Sequence, residues 1–168
     1  MKKILAAIVC IAICFGCVAL LSACNGEKMP EEGKSGIYYI EYNGVRIELG
    51  KDAKTVIDAL GKPKSEKELG DCGGLGAQIK YSYNDIDVYS LKNDDGETID
   101  QISFTSDIAQ TPKGIYIGAD ATSVTEAYGQ PTEKKDGDSR YISGNFVLKF
   151  KFEDGIVSAI EYIRITQK

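Results

Sequence analysis

A segment that occurs twice constrains the fold of this chain most. Residues 49–63 and residues 117–131 share a glycine in second position, an aspartate in fourth and a closing Gly-x-Pro. The aspartate is typical of a helix N-cap, and apolar residues follow it at helical spacing. The glycine and proline then end the helix. Each copy therefore predicts a strand end, a glycine turn and a short helix, and the duplication predicts two similar halves.

A hairpin is predicted just before the first copy. Asn43 and Gly44 separate two runs of strand-forming residues and favour a two-residue turn. That turn places Tyr42 opposite Val45 and Glu41 opposite Arg46, with apolar side chains on one face. The last strand of each half has its apolar residues spaced by three rather than two, at residues 99–102 and 157–160. This spacing predicts a β-bulge in each strand.

These patterns together predict an α+β domain. Helices this short do not persist alone in water, so they must lie on a sheet. We expect two β-α-β-β-β repeats, residues 36–110 and 111–168, with short helices packed on one face of an antiparallel sheet. Residues 64–77 and 132–139 are polar and are predicted to be loops, whereas residues 115–117 are predicted to form a strand.

The N-terminus predicts export and a lipid anchor. Two lysines, an apolar run and Leu-Ser-Ala-Cys end at Cys24, a pattern that resembles the bacterial lipobox. The resemblance implies that residues 1–23 are a lipoprotein signal peptide and that Cys24 carries acyl chains such as palmitate. Residues 24–35 would then be a tether to an extracytoplasmic membrane surface. The alternative is an uncleaved transmembrane helix over residues 4–23.

The net charge limits the classes of binding partner, and the cysteine positions limit the possible disulfide bonds. The net charge is −5 and no basic run is present, which argues against nucleic acid. Three of the five cysteines fall in the signal peptide, and Cys24 is the lipid site. Cys72 is left as a single thiol, either a small buried residue or a reactive group.

The residues of common catalytic systems are missing. The chain contains no histidine, which removes the usual neutral-pH base and most zinc sites. The glycine run at residues 73–76 lacks the Gly-Lys-Ser/Thr of a phosphate loop, and the acidic turns lack calcium-loop spacing. We therefore expect no catalysis, no cofactor and no metal. A carboxylate-dependent hydrolase is the third-ranked alternative.

The repeat, followed by a Tyr-rich hairpin and an acidic-Gly turn, resembles the β-lactamase-inhibitor-protein-like repeat. It also resembles the small lipoprotein subunit of the outer-membrane β-barrel assembly machinery. It is most similar to tandem-repeat lipoproteins of Gram-positive anaerobes. The resemblance implies an antiparallel sheet with one open face, and the characterised relatives bind proteins. It supplies no binding residues, because its shared positions are structural.

A partner-binding surface is the remaining functional candidate. Five residues are predicted to point away from the helices: Ile37, Tyr39, Tyr89, Leu91 and Tyr116. With Val147 they would form an aromatic and apolar patch typical of partner sites; alternatively, they are scattered or sealed by loops. The predicted function is a lipid-anchored, extracytoplasmic module that binds a protein or peptide, with a cell-wall or small-ligand-binding domain as the alternative.

Overall fold

The computed structural model describes residues 38–71 and 73–166. Within these ranges the chain forms ten strands and two helices. The first half contains β1 (Tyr39–Tyr42), β2 (Val45–Glu48), α1 (Ala53–Leu60), β3 (Ser65–Asp71), β4 (Ala77–Ser82), β5 (Ile86–Asn93) and β6 (Gly96–Phe104). The second half contains α2 (Ala121–Tyr128), β7 (Glu133–Lys135), β8 (Asp138–Ser143), β9 (Phe146–Glu153) and β10 (Ile156–Arg164).

Eight of the strands form one antiparallel sheet. Its strand order is β3-β4-β5-β6-β10-β9-β8-β7, while β1 and β2 form a separate two-stranded sheet. Strands β3 to β6 and strands β7 to β10 are thus two meanders, joined side by side where β6 pairs with β10. At this seam Ile102 lies opposite Tyr162, and both are fully buried. The seam therefore lies within the core.

The predicted α+β class is wrong, because the protein is mostly β. Strands account for 52% of the described residues and helices for only 12%. The predicted loop at residues 64–77 contains β3, and the predicted loop at 132–139 contains β7 and the start of β8. These edge strands are largely exposed on both faces. They therefore carry charged residues and lack the apolar alternation by which strands are predicted.

The predicted β-α-β-β-β order is also wrong in both halves. The β1–β2 hairpin lies outside the large sheet, and residues 115–117 belong to no strand but follow a turn at residues 112–113. In that turn the Ile115 N–H donates to Thr111 Oγ1, and the Thr111 N–H donates to the Ile115 carbonyl at 2.8 Å. These local bonds occupy the backbone groups that a strand would offer to a neighbour.

The predicted helix ends are confirmed. The Asp52 carboxylate accepts from the Thr55 N–H at 2.7 Å, and Asp120 accepts from the Ser123 N–H at 2.9 Å. Hydrogen bonds from Thr55 hold the pKa of Asp52 below its ordinary value. Both helices are followed by a glycine at φ close to +76°, Gly129 at 76° and Gly61 at 77°, a conformation that favours glycine.

The hairpin register is confirmed, but its ion pair differs from the prediction. Glu41 lies opposite Arg46, and Tyr42 lies opposite Val45. The Arg46 guanidinium, however, pairs with Glu48 at 3.4 Å and stacks 3.5 Å from the Tyr39 ring centre. Stacking on an aromatic face suits the planar guanidinium, which explains why Arg46 turns towards Tyr39.

Both predicted β-bulges are confirmed, and each adjoins a glycine turn. The register shifts leave Asp100 as the extra residue of β6 and Ser158 as the extra residue of β10. Just before the first bulge, Ile99 accepts from the Gly50 N–H at 2.7 Å. Just before the second, Val157 accepts from the Gly118 N–H at 2.8 Å. The turn that precedes each helix is thus bonded directly to the sheet.

One continuous core joins the hairpin, both helices and one face of the large sheet. The hairpin contributes Ile40 and Ile47, α1 contributes Val56 and α2 contributes Val124, all buried. The sheet contributes alternate residues of its central strands: Val88, Ile99, Ile102, Leu148, Phe150, Val157, Ile160 and Tyr162. The hairpin and helices therefore cover one face of the sheet.

The N-terminal predictions concern residues outside the described ranges. Cys24, the tether at residues 24–35, the alternative span at residues 4–23, Ile37 and Cys72 all fall there. Neither of the two helices within residues 38–71 and 73–166 has the length and apolar character needed to cross a membrane.

We predict that Tyr162→Phe leaves the free energy of unfolding unchanged or raises it by up to about 1 kcal/mol. The Tyr162 hydroxyl is buried, and neither it nor the Tyr128 hydroxyl makes a hydrogen bond of acceptable geometry. Burial, reinforced by the neighbouring Tyr128 hydroxyl, raises the pKa of Tyr162 well above its ordinary value. Removing the hydroxyl thus removes a desolvation cost without losing a bond.

Tyr38→Phe is the matched control. The buried Tyr38 hydroxyl donates to the Tyr141 carbonyl at 3.2 Å, so this variant should lose about 1 kcal/mol. Urea denaturation of the two variants measures both values. A larger loss for Tyr162→Phe than for Tyr38→Phe would contradict the prediction.

Candidate functional site

The face of the large sheet opposite the hairpin and helices is the first candidate site, here called the open face. Side chains alternate along each strand, so residues between the core positions point to this face. The strand registers align them in two rows. The central row crosses the sheet through Lys80, Tyr89, Gln101, Ile163, Val147 and Ile142. The charged row crosses it through Ser82, Asp87, Ser103, Glu161, Lys149, Arg140 and Glu133.

Six charged side chains of the open face form three ion pairs. Lys80 Nζ lies 2.7 Å from Asp87 Oδ2, and this hydrogen bond raises the pKa of Lys80. Lys149 pairs with Glu161, and Arg140 lies 3.6 Å from Glu133. All six side chains are partly shielded from solvent, so dissolved salt weakens these ion pairs less than fully exposed ones. The face therefore combines polar side chains with little net charge.

The central row supplies the apolar part of the open face. Ile163 lies opposite Val147, which lies opposite Ile142. Ile163 and Ile142 are half-buried and Val147 is buried. Val147 nevertheless lies outside the main core cluster, as its position on the opposite face requires. These three neighbours form an aliphatic strip beside the charged row.

The five predicted surface residues do not form one patch on one sheet. Tyr89 lies in the central row with Lys80 5.6 Å from its ring centre. Leu91 is on the same face but only 2% exposed. Tyr39 belongs to the separate hairpin sheet, beneath Arg46, and Tyr116 is 40% exposed in the turn before α2. Ile37 lies outside the described residues.

Three residues of the open face were missed by the sequence prediction. Gln101, Ile163 and Ile142 alternate with the core residues Ile102, Tyr162 and Tyr141. That alternation, counted with the bulges taken into account, would have predicted that these three residues point to the open face. The pairing of β6 with β10, which brings the two halves of the face together, leaves no signal in the local pattern.

The edges of the sheet are poorly suited to pairing with another strand. The β3 edge carries Glu66, Lys67 and Glu68 and is interrupted by a register shift between Glu68 and Gly70. At the other edge, β7 consists only of Glu133–Lys135. Charged residues, bulges and short length all oppose the addition of a strand from another chain. A partner therefore has better access to the open face than to either edge.

A cleft of about 530 Å³ at the end of β10 is the second candidate site, here called the Arg164 cleft. Its described lining residues are Gly144, Asn145, Arg164, Ile165 and Thr166. The turn between β8 and β9 supplies the first two, and the end of β10 and the residues after it supply the others. The Ile165 N–H donates to the Asn145 carbonyl at 2.7 Å, which joins the two segments.

Asp100, the bulge residue of β6, contacts two lining residues of this cleft. Thr166 Oγ1 donates to Asp100 Oδ1 at 3.2 Å, and Arg164 Nε lies 3.6 Å from the same oxygen. Burial raises the pKa of Asp100, and this outweighs the lowering by Thr166 and Arg164. The partial exposure of both side chains, 16% for Asp100 and 21% for Arg164, places this pair at the margin of the core.

Neither candidate site contains a recognised catalytic arrangement. Among residues 38–71 and 73–166, no group of three or more His, Cys, Asp or Glu side chains is placed to hold a metal ion. The Arg164 cleft has one neighbouring carboxylate rather than the pair that glycoside hydrolysis uses.

No protein-family description, curated protein or solved structure matches this chain.

We predict that Arg164→Gln raises the pKa of Asp100 further. The guanidinium lowers that pKa and burial raises it, so loss of the positive charge removes an opposing influence. Carbon NMR of the Asp100 carboxyl group during a pH titration measures the change. An unchanged or lower pKa in the variant would show that Arg164 does not act on this carboxylate.

The same shift has a consequence for stability. Because the folded state holds the Asp100 proton more tightly than the unfolded state, stability falls as pH rises from the ordinary value of 3.8 through the folded-state pKa. Arg164→Gln should widen this pH window. Denaturation at a series of pH values reports the wider window independently of NMR.

Proposed function

We propose that this protein is a lipid-anchored, extracytoplasmic module that binds a protein or peptide through the open face. The observation that carries the proposal is an eight-strand-wide face with an aliphatic strip and internally paired charges. The half-buried Ile163 and Ile142 are bordered by polar residues, an arrangement that protein interfaces also show.

The paired charges favour a protein over nucleic acid or an anionic lipid surface. Lysine and arginine bind phosphates best when their charge is free, whereas Lys80, Lys149 and Arg140 each face a carboxylate. The whole chain also carries a net charge of −5. Affinity must therefore come from apolar contact at Ile163 and Ile142, with the charged row providing orientation.

The N-terminal sequence supports membrane attachment. Leu-Ser-Ala before Cys24 resembles a lipobox, and residues 25–35 are polar and include a proline. Two or three acyl chains would hold a folded domain stably at a bilayer surface. The polar segment would let the open face reach a partner close to that surface.

We predict that a photoreactive amino acid at Ile142 or Ile163 crosslinks to one partner in intact cells. The same amino acid at Tyr116 should not, because Tyr116 is exposed but lies off the open face. Mass spectrometry identifies the crosslinked protein. Equal crosslinking from Tyr116 would contradict the proposed surface.

Binding to the identified partner then tests the energetics. Ile163→Glu should weaken the affinity by about tenfold or more, since it places an unpaired charge in the interface. Tyr116→Ser is the matched control and should leave the affinity unchanged. Calorimetry with both purified proteins measures the difference, and thermal unfolding checks that each variant is folded.

We predict that Cys24→Ala abolishes lipid attachment. The Cys24 sulfur would carry the diacylglyceryl group as a thioether, so labelling with a radioactive or clickable palmitate should disappear. Cys72→Ala is the matched control and should retain the label. Persistent labelling of Cys24→Ala would show that the lipid is attached elsewhere.

A further inference from the structure

We propose that the Arg164 cleft is a binding site for a small ligand with a carboxylate group. This proposal is independent of the open face, because the two sites share no residue. The cleft volume of about 530 Å³ lies within the range of small-molecule sites. The side chains that line it determine which ligand chemistry it fits.

The first argument is an unsatisfied donor. Arg164 Nε is buried and has no hydrogen-bond partner, and its distance of 3.6 Å from Asp100 exceeds that of a hydrogen bond. A buried donor without a partner is costly and uncommon. An acceptor oxygen supplied by a ligand in the cleft would satisfy it.

The second argument is the balance of donors and acceptors. Arg164, Thr166 and Asn145 line the cleft, whereas Asp100 is not among its lining residues. The Thr166 hydroxyl already donates to Asp100, so the described lining offers a ligand the positive charge of Arg164 and no carboxylate. A planar guanidinium matches a planar carboxylate with two parallel hydrogen bonds.

The third argument is that Arg164 is held in place before any ligand arrives. An added Cβ at Gly50 would lie 3.4 Å from Arg164 Nη1, so the guanidinium packs closely against the glycine turn before α1. Gly50 has φ of +79°, which other residues rarely adopt. A side chain held between this turn and Asp100 loses little freedom when it binds.

The fourth argument is a comparison with the matching position in the first half. There the Thr105 N–H donates to the Asp85 carbonyl at 2.9 Å, as the Ile165 N–H does to Asn145. The Asp85 carboxylate accepts from Tyr42 Oη at 3.1 Å and from Ser106 Oγ at 2.8 Å. This position thus supplies its own carboxylate to the surrounding donors. In the Arg164 cleft the position equivalent to Asp85 is occupied by Asn145, whose side chain carries no charge. The carboxylate of a ligand would take the place of the Asp85 carboxylate.

The test uses the full-length protein in detergent micelles, with N-acetylglycine as the probe. N-acetylglycinamide has the same shape without the charge, and inorganic phosphate has the charge without the planar carboxylate. NMR titration of the backbone amides of Asn145 and Thr166 follows binding. We expect saturable shifts with N-acetylglycine and affinities at least about tenfold weaker for the other two compounds. No saturable shift with N-acetylglycine, or equal binding of the amide or of phosphate, would overturn the proposal.

Variants link the binding to the proposed contacts. Arg164→Lys should weaken N-acetylglycine binding about tenfold, since the fork of donors is lost. Arg46→Gln is the matched control, because that arginine lies on the hairpin against Tyr39 and Glu48, and it should leave binding unchanged.

A second variant keeps the test decisive if the Arg164 variant fails to fold. Asn145→Asp introduces the carboxylate that the first half already has and should compete with the ligand, weakening binding at least about tenfold. Undiminished affinity in the folded Asn145→Asp variant would overturn the assignment of the carboxylate to this cleft. Loss of binding here would leave partner capture by the open face intact, which separates the two proposals.

Discussion

The backbone hydrogen bonds between each glycine turn and the neighbouring bulged strand are the interaction on which the rest of the structure depends. Gly50 bonds to Ile99, and Gly118 bonds to Val157, in both cases immediately before a bulge. Each turn leads directly into an aspartate-capped helix. Without these bonds, helices of this length would have no fixed position. With them, both helices contribute side chains to the same core.

The two candidate sites follow from this arrangement. Because the hairpin and helices occupy one face of the large sheet, its other face is left with paired charges and an aliphatic strip. The Arg164 cleft arises where β10 ends beside the turn between β8 and β9. Its Arg164 is placed by the same Gly50 turn that joins α1 to the sheet. The two proposed binding sites therefore lie on separate parts of one domain.

Features with a short-range physical cause could be predicted from the sequence. The Asn43-Gly44 turn determines the hairpin register, and the aspartate and glycine at each helix determine its ends. The bulges were visible as a change in apolar spacing, because a residue inserted into a strand shifts every later side chain to the other face. The exposed strands β3 and β7 could not be predicted in this way, since neither of their faces is buried.

The sequence by itself determined the turns, the helix ends, the bulges and most of the core, because each depends on residues close together in the chain. Only the tertiary structure decided that β6 pairs with β10, that the hairpin forms its own sheet, and that Tyr39 and Tyr116 lie away from the open face. It also decided that Asp100 contacts Arg164 and Thr166, two residues that line the Arg164 cleft. These outcomes depend on which segments, far apart in the sequence, bury apolar surface against one another. Because hydrophobic burial is non-directional, local residue patterns do not specify which segments meet.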